Sequence, residues 1–142
     1  MKRKKTMYLQ GLLGEAQEKN LIENDLKGIG WKIESFKIIA YNFDEAQDNT
    51  YVARLSTQAE LIPTTAQFEL NTVMGLATYG GGGNTELLDM ASVIVDELYI
   101  TNCTMTATIT DKRINYQIVL GQYDIDSTEQ IVAQVKHSQG LA

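Results

Sequence analysis

Along much of this chain apolar residues fall at every second position, and one stretch alone carries both helix-end signals. Ile114, Tyr116, Ile118 and Leu120 alternate with Asn115 and Gln117, a two-residue period that gives a strand one apolar face. Cys103, Met105, Ala107 and Ile109 alternate in the same way with four threonines, Thr104, Thr106, Thr108 and Thr110. With the polar turn Asp111-Lys112-Arg113 between them, the two runs predict a hairpin. Trp31 to Phe43 predicts another strand, whose apolar parity slips from Trp31 and Ile33 to Phe36 and Ile38 and back at Ile39. Such a slip marks a β-bulge or two consecutive strands. Residues 44–50 are a polar turn, and Tyr51, Ala53 and Leu55 read as the returning strand of a second hairpin. Further strands are predicted over 68–79 and 92–101, with a loop around Pro63.

Residues 15–27 are polar with Leu21, Ile22 and Leu26 at helix-like spacing, so a short helix or an irregular loop fits there. Near the C-terminus, Asp126 with Glu129, or Ser127 with Gln130, makes a capping box. Ile131, Val132 and Val135 would form the apolar stripe of the helix that follows. Lys136 and His137 suit its negative end, and Gly140 stops it. A helix of about eleven residues is marginal alone, so its stripe should dock on the sheet or on another subunit. Seven or so strands, no helix–strand alternation and one terminal helix give a mainly β chain: an antiparallel β-sandwich with a short C-terminal helix. It becomes a jelly roll if the first residues or the 60s supply an eighth strand.

Charge divides the chain. Lys2, Arg3, Lys4 and Lys5 are four of its twelve basic residues, and no acidic residue precedes Glu15. From residue 6 onward eight Lys and Arg face eighteen Asp and Glu, a balance of −10. We therefore expect a basic arm over 1–14 on a single β-sandwich domain over 15–142. The arm is a candidate contact for a polyanion or an acidic neighbouring subunit. The acidic body makes a poor nucleic-acid binder, so any such contact falls to the arm. Its apolar continuation is too short and interrupted for a signal peptide, and the terminus reads as mature. Nowhere do about 18 apolar residues run together, so no membrane-spanning helix is expected.

Chemistry-bearing residues are sparse. His137 is the only histidine and Cys103 the only cysteine, which denies the chain the usual zinc cage and offers one base for a triad. Cys103 shares the parity of apolar residues and reads as a buried, inert thiol. Its sequon, Asn102-Cys103-Thr104, falls inside an expected strand and is discounted. Asp44, Glu45 and Asp48, then Asp96 and Glu97, then Asp124 and Asp126 read as solvated turns and a helix cap. Gly80, Gly81, Gly82 and Gly83 form no phosphate cradle, since Asn84-Thr85-Glu86 follows rather than a lysine and a hydroxyl. They read as a flexible loop able to order against a neighbour. Seven tyrosines against three phenylalanines suit half-buried surfaces such as subunit interfaces. No cofactor, metal or catalytic constellation is expected.

The stretches Val95-Asp-Glu-Leu-Tyr-Ile, Ile114-Asn-Tyr-Gln-Ile-Val-Leu and Asp126-Ser-Thr-Glu-Gln-Ile-Val-Ala-Gln-Val-Lys resemble the tails of small β-rich virion proteins of bacteriophages. In those tails an acidic-aromatic strand, a hairpin and a short closing helix follow one another. The resemblance covers about fifty residues and implies no residue-level function. It implies a non-enzymatic capsid or capsid-associated protein, assembled in the host cytoplasm. Its partners would be copies of itself and other virion proteins, with nucleic acid reached through the arm. The alternative class is a monomeric β-sandwich module that binds glycan or protein through tyrosines around the glycine loop.

Overall fold

The structure, a computed structural model, describes residues 2–23, 28–46, 48–59, 72–81 and 83–138, with residues 137 and 138 described by backbone alone. Pro63, residues 68–71 and Leu26 lie outside them. Among the described residues eight strands and one α-helix follow in the order β1 (Lys2–Leu13), β2 (Glu18–Glu23), β3 (Ile29–Ala40), β4 (Thr50–Ser56), β5 (Val73–Gly80), β6 (Thr85–Leu88), β7 (Glu97–Asn102), β8 (Ile114–Asp124) and α1 (Ser127–Ser138), with a short 3-10 turn at Phe43–Glu45 between β3 and β4. They make two antiparallel sheets, β1-β8-β3 and β2-β7-β4-β5-β6. The chain is a β-sandwich, wound so that first pairs with last: β1 with β8, β2 with β7 and β4 with β5.

The strand periods account for the core. Ile114, Ile118 and Leu120 of β8 point inward beside Leu13 of β1 and Ile33 and Phe36 of β3, all buried. Tyr51, Ala53 and Leu55 of β4, Met74 of β5 and Leu98 and Ile100 of β7 close the core from the other sheet. The parity slip in β3 is a bulge. Its pairing with β8 shifts between Ile33 and Ser35, which keeps Trp31, Ile33, Phe36, Ile38 and Ala40 all buried.

Three local expectations are corrected. Residues 31–43 and 51–55 do not pair as a hairpin, because β3 and β4 lie in opposite sheets. Burying two apolar faces on one another outweighs the short connection between them. Within 15–27, residues 18–23 form a strand on β7 rather than a helix or loop. The threonine run 103–110 is not a strand. Glu45 accepts from the backbone N–H and hydroxyl of Thr110 (2.6 and 2.7 Å) and from the Asp111 N–H (3.0 Å), drawing the backbone away from any ladder. Those bonds, from the Thr110 backbone first, hold the Glu45 carboxyl below its ordinary pKa.

Of the two docking places expected for the helix stripe, the sheet of this chain is not the one used. Asp126 and Glu129 do form the reciprocal box: Glu129 N–H donates to Asp126 Oδ1 at 2.7 Å and Asp126 N–H to Glu129 Oε1 at 3.1 Å. The stripe, however, faces out, with Ile131, Val132 and Val135 exposed at 60%, 63% and 48%. The helix docks through Ala133, which packs with Val95 and Ile125. Short Ala133 lets the helix approach closely, and polar ties hold it there: Gly28 N–H to Gln130 (3.3 Å) and Gln134 to Asp96 (3.4 Å).

Candidate functional site

The basic segment is built into the body. Lys2–Leu13 is β1, an outer strand of the three-stranded sheet, held along its length by β8. Alternating Met7, Leu9 and Leu13 turn toward the core, which is why the strand adheres rather than extending as a separate arm. Its pairing shifts between Arg3 and Lys5, a bulge at Lys4.

Two of its four cations are already matched. Arg3 reaches across the sheet to Glu34, the bulge residue of β3, with Nε to Oε2 at 3.0 Å and Nη2 to Oε1 at 2.9 Å. It also donates to the Thr6 hydroxyl at 2.6 Å. Gly121 of the middle strand makes the crossing possible, since a Cβ there would sit 2.6 Å from Glu34 Oε2 and 3.2 Å from Arg3 Nε. The bonded guanidinium lowers the Glu34 pKa, and Glu34 raises that of Arg3. Lys4 pairs with Asp124 at 3.1 Å. Lys2 and Lys5 are exposed and make no ion pair among the described residues.

The edge of β1 is open over its middle. Tyr41 N–H donates to Arg113 O at 3.0 Å, which sets which β8 residues face β3; their neighbours face β1. By the two-residue alternation, Leu13 then bonds β8 while Thr6, Tyr8, Gln10 and Leu12 turn their N–H and C=O outward. The Leu12 carbonyl agrees, accepting from Lys19 Nζ at 3.3 Å. The backbone groups of Thr6, Tyr8 and Gln10 find no partner beyond that edge among the described residues. The opposite edge of this sheet is engaged at two points. Trp31 and Ile94 exchange backbone bonds of 2.9 and 2.7 Å, and Phe36 N–H donates to Glu86 Oε2 at 2.9 Å. Beside the open edge stand Tyr8 and Leu12, exposed at 67% and 39%.

The glycine segment is a bonded connection between β5 and β6. Gly80 ends β5 and pairs with Thr50. Gly81 N–H donates to Asn49 O at 3.0 Å, and Gly83 N–H to Gly80 O at 2.9 Å. Asn84 Oδ1 accepts from Gly80 N–H at 3.2 Å. Gly82 lies outside the described residues. Next to this turn a cleft of about 460 Å³ is lined by Lys37, Ile39, Tyr79, Asn84, Thr85 and Glu86, among others.

One cluster that the sequence reading missed gathers a hydroxyl, an amine and a carboxylate. Ser92 Oγ donates to Asp89 Oδ2 at 2.6 Å, Lys136 Nζ donates to the same oxygen at 3.0 Å, and Lys136 Nζ also contacts Ser92 Oγ. A nucleophilic serine needs a base to take its proton, yet Lys136 is ion-paired and arrives as a donor. The backbone N–H groups of Ala91 and Ser92, which could have held an oxyanion, both donate to Asp89 Oδ1. The arrangement therefore clamps α1 to the loop before β7. An aspartate three residues before a serine is the signal that could have found the loop half of it. Lys136 could come only from the fold.

Burial opposes ionisation of Asp89, but the bonds from Ser92 and Lys136 outweigh it and hold the pKa below the ordinary 3.8. A depressed carboxyl stabilises the fold above its unfolded pKa and loses that contribution as pH falls through the folded value. Acidification below about pH 4 is expected to loosen α1, read as faster amide exchange over Val132–Lys136. Asp89→Asn should already exchange fast at neutral pH and show no such step.

The remaining candidates are absorbed by structure. Cys103 is 8% exposed, and burial pushes its thiol up to about 11. Asn102 of the sequon is 0% exposed and fully bonded, so its amide is out of reach of a glycan. Asp124 pairs with Lys4, Asp126 caps α1 and Asp96 accepts from Gln134. No three metal-ligating side chains converge among the described residues. The side chain of His137 lies outside them. No described helix is long and apolar enough to cross a membrane. Comparison with family models, curated proteins and solved structures finds no match to this chain.

Proposed function

We propose that this chain is a non-enzymatic structural subunit of a virion, a capsid or capsid-attached component that assembles in the host cytoplasm with copies of itself and other virion proteins. The observation that carries the reading is the open β1 edge with Tyr8 and Leu12 beside it, because an unpaired strand edge is a template for another chain. The winding supports it. Nested pairing of β1 with β8, β2 with β7 and β4 with β5 resembles jelly-roll winding, with β6 paired to β5 and reaching β3 through the Glu86 side chain. That architecture serves viral capsids, although a fold alone fixes no function. The outward stripe of α1 adds a second apolar surface. Nucleic acid is the weaker partner for the basic strand, since the two unmatched lysines support a salt slope of only about −2.

A monomeric module for glycan or protein is the second reading, favoured by the cleft that places Tyr79 beside the glycine turn. Light-scattering mass over a concentration series, at low and high salt, separates the two. The subunit reading expects mass rising above 15.8 kDa. A constant monomer that binds ligand saturably and weakens on Tyr79→Ala favours the module and ends the first reading.

A further inference from the structure

We propose that the open edge of β1 pairs antiparallel with the same edge of a second copy of this chain, about a two-fold axis at Tyr8. The two three-stranded sheets then run on as one. This rests on the subunit reading and names its contact.

The boundaries of the open stretch set the register. On one side the bulge at Lys4 breaks the strand's regular pairing, and on the other Lys19 occupies the Leu12 carbonyl. The regular, uncovered stretch is thus Lys5 to Gly11, and its centre is Tyr8. Pairing Tyr8 with Tyr8, and Thr6 with Gln10 in both directions, matches outward groups with outward groups. It forms about six main-chain hydrogen bonds and uses every open donor in the stretch.

Charge sets the direction. Parallel, in-register pairing would stack Lys2 and Lys5 against their counterparts, a like-charge cost in each row. Antiparallel pairing sends the basic ends apart. Lys2 then lies opposite Gly14 of the second copy, next to Glu15, which pairs with Lys112 at 3.2 Å and keeps its side chain 64% exposed. Lys2 of one copy so approaches the acidic start of the other copy's 15–23 segment, while Lys5 falls opposite Gly11. Tyr8, the most exposed of the large apolar side chains among the described residues, meets its own counterpart at the axis, as a two-fold contact requires. The other long edge, on β3, is interrupted at Trp31 and Phe36 by Ile94 and Glu86, which leaves a shorter free stretch. Three residue pairs make a modest interface, suited to assemblies in which many weak contacts act together.

The test uses the full chain. Tyr8→Cys places a thiol on the axis, and the native Cys103 is buried enough to stay silent under mild oxidation. Tyr8→Cys is expected to form a covalent dimer on oxidation, whereas Thr6→Cys, which faces Gln10 rather than itself, should not. Gln10→Pro removes an outward N–H at an edge position that tolerates proline. It should weaken self-association about tenfold, as expected for losing two main-chain bonds, with the melting curve reporting that the fold survives. If Gln10→Pro melts early, Gln10→Lys carries the same expectation without a backbone change. Self-association of the wild type with no Tyr8→Cys dimer, or equal cross-linking at Thr6→Cys, overturns the β1 contact and leaves the subunit reading intact. A wild type that stays at 15.8 kDa overturns both.

Discussion

Gly80→Ala should cost on the order of 3 kcal/mol or more, one of the largest effects available to a single methyl in this chain. Two obstacles coincide at Gly80. Its φ is +130°, a region where a side chain is strained whatever the space around it. A Cβ there would also lie 1.9 Å from the Asn49 carbonyl oxygen and 3.1 Å from that of Ala46. Both obstructions are backbone, so neither can swing aside as a side chain could. Relief requires the β4 start to separate from β5, with loss of the Thr50–Gly80 pair. Gly83 provides the contrast. Its φ is +100° but nothing lies within 4 Å of its Cβ position, so Gly83→Ala should cost only about 1 kcal/mol of backbone strain. Thermal melts of the two variants check the ranking, with Gly80→Ala falling by roughly 10 °C. Equal melting temperatures would mean that Gly80 is not held in this conformation.

Asn102→Ala is expected to be comparably severe, at about 3 to 5 kcal/mol. The side chain is 0% exposed and joins three segments at the end of β7. Its Nδ2 donates to Gly14 O at 2.9 Å and to Lys112 O at 2.7 Å, and its Oδ1 accepts from Thr104 N–H at 3.1 Å. Truncation strands all three backbone groups, each at a desolvation cost of about 1–3 kcal/mol where water cannot follow. Asn102→Asp should do no better, because a carboxylate cannot donate to the two carbonyls. Denaturant unfolding measures the loss, and amide exchange over 103–113 should quicken beyond the rest of the chain. A loss within about 0.5 kcal/mol, ordinary for a surface change, would contradict the role given to this residue.

Much of the fold is legible in side-chain periods, because a strand with one buried face must alternate. The Ile114–Leu120 face, the Tyr51–Leu55 face and the slip in β3 all follow from that rule. It fails where polar side chains compete with the ladder. Thr104, Thr108 and Thr110 alternate as a strand would, but they bond Val52, Asn49 and Glu45 across the fold. Those acceptors lie more than fifty residues away, and no local pattern announces them. The α1 stripe marks a different limit. Its period announces a face to be covered, by the sheet or by another subunit, without saying which, and within this chain small Ala133 on the other side does the packing.

The basic residues at the start were visible at once, but their use depended on partners the sequence could not place. Glu34 becomes available to Arg3 because the β3 bulge and the missing side chain of Gly121 open a path across the sheet. What remains for function is less the charge than the edge it borders. The open amides of Thr6, Tyr8 and Gln10 follow from the order of three strands, a property of topology rather than of any residue type.

Amide exchange at Tyr8 and Gln10, compared between dilute and concentrated wild-type protein, tests most directly whether that edge joins subunits. We expect both amides to exchange freely when dilute and to slow markedly on concentration, while Ala53 and Ile118 in the interior ladders stay unchanged. Exchange at Tyr8 and Gln10 that remains fast at every concentration, in protein whose mass has risen, would place the contact elsewhere and contradict the account.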